Sequence, residues 1–330
     1  LVGEKCPLPR RPNVLNLEAT KPRRIPVTQT IAYPSVAEVQ KGPVEAKHGS
    51  GDARRQAPTY FKTLVRSGYA PVNGLRMYYE IHGTGTARPV VTIHPWLGLA
   101  GVYPSLVRNR QLIAVEIQGH GRTADIDRPI TFENDADDIA ALLKYLKIPR
   151  ADFFGESFGG TAAVQMAIRH PDLVRRVAIY GSTLGSAKDL VPPESLAEFM
   201  QLTPDHHSIR FERECYEKVA PDPSQWAKLF AKSTRMDWNG FSKDELKSIK
   251  APVLIAAGDH DVLVPPVEHH LAMARLIPNA QLAVIPDAGH FVLYEDPEKL
   301  LPVVANFLDQ PTSPVAFATT LSGYHPGETR

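Results

Sequence analysis

The sequence predicts an α/β fold: a mostly parallel central sheet with helices on both faces and a helical cap inserted after the sixth strand. Three observations predict it. Short apolar or β-branched runs alternate with helix-length amphipathic segments from about residue 60 to residue 310, an order that yields parallel strands joined by helical crossovers. The alternation breaks once, at residues 185–249, where helical segments follow one another without strands. Finally, DFF runs into Gly155-Glu156-Ser157-Phe158-Gly159 and then TAAVQMAIRH, a strand, a sharp turn and a helix in immediate succession.

Residues 1–57 are rich in Pro, Arg, Lys and small residues and carry no strand or helix period, so they read as a loose extension without a catalytic role. Order begins near Tyr60. Thr63–Tyr69 and Leu75–His82, separated by PVNG, read as an antiparallel hairpin. Val90–His94 (VVTIH) is the first expected parallel strand, and Leu112–Ile117 the next. Thr131–Leu146 reads as a helix that Thr131 can cap, with Ile139, Leu142, Leu143 and Leu146 on one side. Strands Asp152–Gly155 and Val174–Tyr180 flank a helix at Gly159–His170. After the break, strands Val253–Ala257 and Leu282–Ile285 alternate with helices Val267–Ile277 and Glu298–Leu308.

The core therefore spans residues 58–184 and 250–310, the cap 185–249, and a tail 311–330. Cap helices are expected at Glu194–Met200, Arg210–Lys218, Gln225–Ser233 and Lys243–Ser248. Phe199, Met200, Phe211, Trp226, Phe230 and Trp238, with Leu97 from the core, are candidates to line an apolar acyl pocket. The alternative for each is ordinary packing.

Charge excludes little but useful ground. With 37 Lys+Arg against 36 Asp+Glu, the chain lacks the basic excess that nucleic acid attracts. Cys6 and Cys215 do not make a disulfide framework. No stretch approaches the roughly 20 apolar residues of a membrane span, and LVGEKCPLPRRP lacks the apolar segment of a secretory signal. The expectation is a cytoplasmic protein with no integral membrane segment.

The chemistry centres on Ser157. Glycines at 155, 159 and 160 let strand and helix approach while the serine occupies a strained turn, its hydroxyl exposed to a base. Gly258-Asp259-His260-Asp261 follows strand-like APVLIAA, and Gly289-His290-Phe291 follows LAVIPDA, so both segments reach the sheet edge where Ser157 stands. His290 is the expected base and Asp261 the expected acid behind it. Asp259 is the rival acid, with bracing of the turn as its other role. An oxyanion needs backbone donors: Phe158 N–H, and Trp96 N–H from the loop His94-Pro95-Trp96-Leu97-Gly98, with Leu97 N–H the alternative. Such a serine mechanism needs neither a metal nor a cofactor, and no metal-ligand spacing is present.

MYYEIHGTG, HPWLG, IQGHGRT, GESFGG, GDHDVLVP and GHFVLYEDP occur in an order that resembles the α/β-hydrolase fold family, in its cap-bearing, serine-dependent esterase-like branch, over roughly Tyr60 to Gln310. The resemblance implies a hydrolase in which Ser157, Asp261 and His290 match the catalytic positions and Phe158 and Trp96 the oxyanion donors. The chain departs from the family pattern at Pro95, where Gly is usual. The expected activity is hydrolysis of carboxylic esters with small to medium acyl chains, the partner being a small-molecule ester or lactone. Lactone hydrolysis, cofactor-free peroxide chemistry (haloperoxidase or perhydrolase) and a non-catalytic binding protein are the other readings. Ser157 argues against the dehalogenases and epoxide hydrolases of the family, which carry a carboxylate nucleophile there.

Overall fold

A computed structural model describes residues 63–186, 197, 199–236, 238–261, 263–264 and 267–311. The expected N-terminal extension, most of the expected helix at 194–200 and nearly all of the expected tail lie outside the described residues.

The chain opens with a hairpin. β1 (Leu64–Val72) and β2 (Leu75–His82) pair antiparallel, joined by Asn73 and Gly74 at φ 46° and 85°. Two successive left-handed residues match the twist of a two-residue hairpin, which is why Asn-Gly sits there. β3 (Ala87–Ile93), β4 (Arg110–Val115), β5 (Ala151–Glu156), β6 (Val174–Tyr180), β7 (Val253–Gly258) and β8 (Ala280–Ile285) complete an eight-stranded sheet of order β1-β2-β4-β3-β5-β6-β7-β8. From β4 onward across the sheet every pairing is parallel. The α/β architecture and the insertion after the sixth strand are as the sequence predicts.

Helices cover both faces, as parallel strands require. On one face, α1 (Phe132–Tyr145) and α2 (Phe158–Arg169) bury Ile139, Leu142, Leu143, Ala163 and Val164 against Val91, Ile113, Phe153 and Val177. Thr131 caps α1 by accepting from Asn134 N at 3.1 Å. On the other face Phe154, Ala178 and Tyr180 meet Val292, Leu293, Val304 and Phe307.

Between β6 and β7 lie three helices of the cap, α3 (Arg210–Val219), α4 (Trp226–Thr234) and α5 (Lys243–Ser248). A third apolar cluster joins α3 and α4 to the core: Ile209, Tyr216, Trp226, Leu229 and Phe230 pack with Leu97 and Ile130, while Leu246 of α5 joins the first cluster. α6 (Val267–Leu276) follows β7, and α7 (Val292–Glu295) and α8 (Leu301–Asp309) are the last helices of the described residues.

Two boundaries differ from the sequence reading for identifiable reasons. β4 ends at Val115 rather than Ile117 because the Glu116 carboxylate turns to accept from Arg122 N at 2.5 Å and Arg122 Nη1 at 2.6 Å, pulling the chain into the next loop. The last helix begins at Leu301 rather than Glu298 because Pro302 fits the first turn of a helix and not its interior. Among the described residues no helix is long and apolar enough to cross a membrane.

Candidate active site

Ser157 stands between β5 and α2 with φ 51° and ψ −120°, a conformation that L-residues rarely adopt and that collects at functional sites. Tertiary contacts hold it. Ser157 N donates to Tyr180 O at 2.8 Å, while Ser157 O accepts from Gly160 N at 3.0 Å. The turn closes only with glycine on either side: a Cβ on Gly155 would overlap Gly159 O, and one on Gly159 would overlap Ile93 O. Phe158 is the first residue of α2, so its N–H belongs to the first-turn donors that no carbonyl four residues earlier can satisfy.

The loop after β3 packs against that first turn. Gly98 N donates to Pro95 O at 2.9 Å, making Trp96 and Leu97 the corner of a tight turn. Leu97 has φ 58°, at a position where such turns favour glycine, and its side chain is buried beneath the cap. His94 fastens the loop from behind: its Nδ1 donates to Pro95 O at 2.8 Å and its Nε2 accepts from Ile117 N at 3.3 Å. Burial lowers the His94 pKa to about 4, so the ring is neutral, as this pair of bonds demands. His120, its ring tilted 45° to that of His94 with centroids 4.8 Å apart, is likewise neutral, lowered to about 3 by burial and by the neighbouring His94.

The candidate acid and base come from two loops beyond the same strand ends. His290 Nδ1 donates to Asp261 Oδ2 at 2.8 Å, with His290 and Asp261 side chains 9% and 3% exposed. Asp261 Oδ1 accepts from Leu263 N at 3.0 Å and Val264 N at 3.2 Å, so the carboxylate is oriented by its own loop. Burial disfavours a charged imidazole, but the hydrogen bond and the charge of Asp261 outweigh it and leave the His290 pKa raised. Asp259 points elsewhere, its Oδ1 accepting from Ala288 N at 3.2 Å.

The apolar candidates divide. Trp96 meets Phe199 and Phe230 with ring centroids 5.2 and 5.9 Å away, and Leu97 joins that cluster. Trp238 packs at 4.8 Å on Phe132, which itself lies 4.5 Å from Phe158. Trp226 is instead turned into the cap, donating Nε1 to Pro204 O at 2.7 Å with its ring 5.5 Å from Tyr216. Met200 is 59% exposed, and Phe211 is half-buried on α3, outside the Trp96 cluster. Ser233, which no motif flags, is brought to the site by the cap: Trp96 Nε1 donates to its Oγ. Among the described residues no group of three His, Cys, Asp or Glu side chains is arranged to hold a metal ion.

The profile of the Alpha/beta hydrolase family matches residues 81–303. The 2-hydroxymuconate semialdehyde hydrolase of Pseudomonas sp. (strain CF600) is 28% identical over 258 residues, covering 69% of this chain and 89% of the relative. The poly(3-hydroxyalkanoate) depolymerase of Ectopseudomonas oleovorans is 29% identical over 217 residues, covering 61% of this chain and 75% of the relative. A solved N-acyl homoserine lactone degrading enzyme superposes with a TM-score of 0.60 at 29% identity, over 73% of this chain and 100% of its own.

Proposed function

The chain belongs to the alpha/beta hydrolase family and is a hydrolase, and from that premise we propose that it cleaves carboxylic esters of small to medium acyl chains through an acyl-enzyme on Ser157. The observation that carries the reading is the His290–Asp261 hydrogen bond at 2.8 Å between two buried side chains. It leaves Nε2 as the free basic nitrogen of a ring whose tautomer is set.

In this reading His290 Nε2 takes the Ser157 proton as Oγ attacks the carbonyl, and Phe158 N–H and Trp96 N–H receive the developing oxyanion. The imidazolium returns the proton to the departing alkoxide. Water then repeats the sequence against the acyl-enzyme, releasing the acid and regenerating Ser157. Phe199, Phe230 and Leu97 around Trp96 supply an apolar wall for the acyl chain. Pro95 is compatible with this, because the donor is the following residue and Pro95 contributes only its carbonyl to the turn.

Lactone hydrolysis is the second reading, favoured by the likeness to the N-acyl homoserine lactone degrading enzyme. It uses the same steps on a cyclic ester. A panel of p-nitrophenyl esters from acetate to decanoate, N-acyl homoserine lactones and 2-hydroxymuconate semialdehyde separates these substrates. Turnover of the short esters, stoichiometric labelling of Ser157 by a phosphonate and loss of both in Ser157→Ala are expected. A folded Ser157→Ala protein that still turns over esters sinks the mechanism, and an unlabelled parent protein returns the non-catalytic binding reading. Rapid ester turnover without peroxide-dependent bromination disposes of peroxide chemistry as the main activity.

A further inference from the structure

Glu156, the last residue of β5, is 2% exposed, and its Oε2 is a buried atom without a hydrogen-bond partner. Buried polar atoms are nearly always partnered, so a lone carboxylate oxygen beside the candidate nucleophile calls for a physical cause. Its position supplies one. Register pairs Glu156 with Tyr180 on β6, and side-by-side residues of neighbouring strands point to the same face. Here that face carries Phe154, Tyr180, Ala288 and Val292.

The His290 loop rests on this strand pair. Tyr180 Oη donates to Gly289 O at 2.5 Å, fixing the residue before His290. One position beyond Tyr180, Gly181 lies so close beneath the acid–base pair that a Cβ there would sit 3.1 Å from both Asp261 Oδ2 and His290 Nδ1. The strand pair that carries Glu156 therefore supports the His290 loop from below, while Asp261 meets the ring itself from the turn after β7.

Charge interactions agree with the geometry. Burial raises the Glu156 carboxyl to about 7, a protonated His290 draws it down, and the charge of Asp261 pushes it up. Glu156 in turn adds to the raised basicity of His290, after the larger contributions of burial, which opposes it, and of Asp261. The other titratable groups facing Glu156 are Tyr103 from the loop after β3 and Tyr180 from β6, both held neutral mainly by burial. A buried carboxylate is costly without a cation, and among the described residues the positive charge that draws Glu156 down is that of the imidazolium.

We propose that Glu156 is a positioning residue acting through His290: a second buried acid that, beside Asp261, stabilises the imidazolium formed while Ser157 is acylated and deacylated. This rests on the Ser157–His290 reading above. When Ser157 Oγ passes its proton to His290, a positive charge appears between two carboxylates. When the proton leaves with the alkoxide, the ring is neutral again and Glu156 has gained and lost nothing.

The test is an NMR titration of labelled histidine in the parent and in Glu156→Gln, with the His290 resonance identified by its loss in His290→Gln, alongside the pH profile of kcat/KM. His290 is expected to titrate about one unit lower in Glu156→Gln, a tenfold change in its proton affinity. The acid limb of kcat/KM should move by the same amount and kcat should fall about tenfold. A purely structural role would lower stability without moving the titration, so an unchanged or raised His290 titration in the folded variant overturns the proposal. Should Glu156→Gln fail to fold, Glu156→Asp, which draws the carboxylate back by one methylene, is read the same way: a smaller fall supports the proposal and no fall overturns it. An active Ser157→Ala protein would remove the serine mechanism while leaving the His290 titration to judge the Glu156 contact.

Discussion

Trp96 Nε1 donates to Ser233 Oγ at 2.9 Å, joining the loop after β3 to cap helix α4 across 137 positions of sequence. Ser233 is buried and its hydroxyl donates to Phe230 O at 3.2 Å, so its oxygen is oriented to accept from the indole. Flanked by Pro95, whose φ is fixed, and by the buried Leu97, and hydrogen-bonded through its indole, Trp96 is held from three sides. The cap thereby helps to set the angle of the backbone N–H proposed to receive the oxyanion.

Ser233→Ala should accordingly cost about 1–3 kcal/mol of stability, the penalty of leaving a largely buried donor without its acceptor. In ester turnover kcat should drop several-fold to about tenfold while KM stays within a factor of two, because the lost alignment matters most when negative charge develops. Steady-state kinetics with a thermal melt decide it. A folded variant with parental kcat shows that the cap does not tune this loop.

The two acids near β7 should differ sharply. Asp261→Asn keeps the shape but presents an amide to His290 Nδ1, and disruption of this kind can cost on the order of 10⁴-fold in kcat. Asp259→Asn keeps an oxygen for Ala288 N at a side chain that is 39% exposed, so its activity should stay within a few-fold of the parent. Ester turnover of the two folded variants is the comparison. A dead Asp259→Asn beside an active Asp261→Asn would transfer the acid role to Asp259.

The fold was legible where local signals coincide. Leu75–His82 and Val174–Tyr180 are strands over the residues read from sequence because apolar runs end at hairpin or turn residues on both sides. Lys243–Ser248 is a helix from end to end because Ser242 and Glu245 form a capping box. The end of β4 was not legible, since the Arg122 that captures Glu116 comes six positions later in a loop. At the site, the order Ser157, Asp261, His290 can be read from motifs, but the pairing of His290 with Asp261 depends on the course of the turn after β7. Ser233 and Glu156 carried no signal that separates them from an ordinary helix serine and an ordinary strand-end acid. Their significance comes from neighbours 137 residues away in one case and from complete burial in the other.

The raised pKa of His290 fixes the sign of the pH dependence. In the proposed mechanism only the neutral ring accepts the Ser157 proton, so kcat/KM should rise with pH through the His290 ionisation and lose activity below it. Because the hydrogen bond and charge of Asp261 raise that ionisation above the ordinary histidine value against the opposing effect of burial, the limb should lie to the alkaline side of an unperturbed histidine. In Asp261→Asn the limb should move to lower pH as total activity falls. A limb that stays in place while activity collapses would mean that another group sets it.

The last prediction concerns how the cap is fastened. Lys232 Nζ on α4 donates to Asp125 Oδ1 and Oδ2 at 2.8 and 2.9 Å and reaches Ile126 O and Arg128 O at 2.9 and 2.8 Å, while Lys228, one turn earlier, approaches Asp125 Oδ2 at 2.8 Å. The Asp125 side chain is 6% exposed and that of Lys232 is 22% exposed, so the pair is screened less than a surface ion pair. Burial alone would raise the Asp125 pKa, but hydrogen bonds from Lys228, Lys232 and Gln118 leave it lowered. A depressed carboxylate contributes stability that is present above its unfolded pKa and lost as pH falls through the folded one, so acid should loosen α4 from the core. Lys232→Met should cost about 1–3 kcal/mol, below the full penalty of a broken buried pair, because Lys228 and Gln118 still face the carboxylate. Asp125→Asn should cost more, since it leaves two lysines without their anion. Hydrogen exchange across Trp226–Thr234, with urea unfolding for the global value, measures both. Exchange of α4 in Lys232→Met as slow as in the parent would show that the apolar cluster around Leu97 and Phe230, rather than this ion cluster, holds the cap in place.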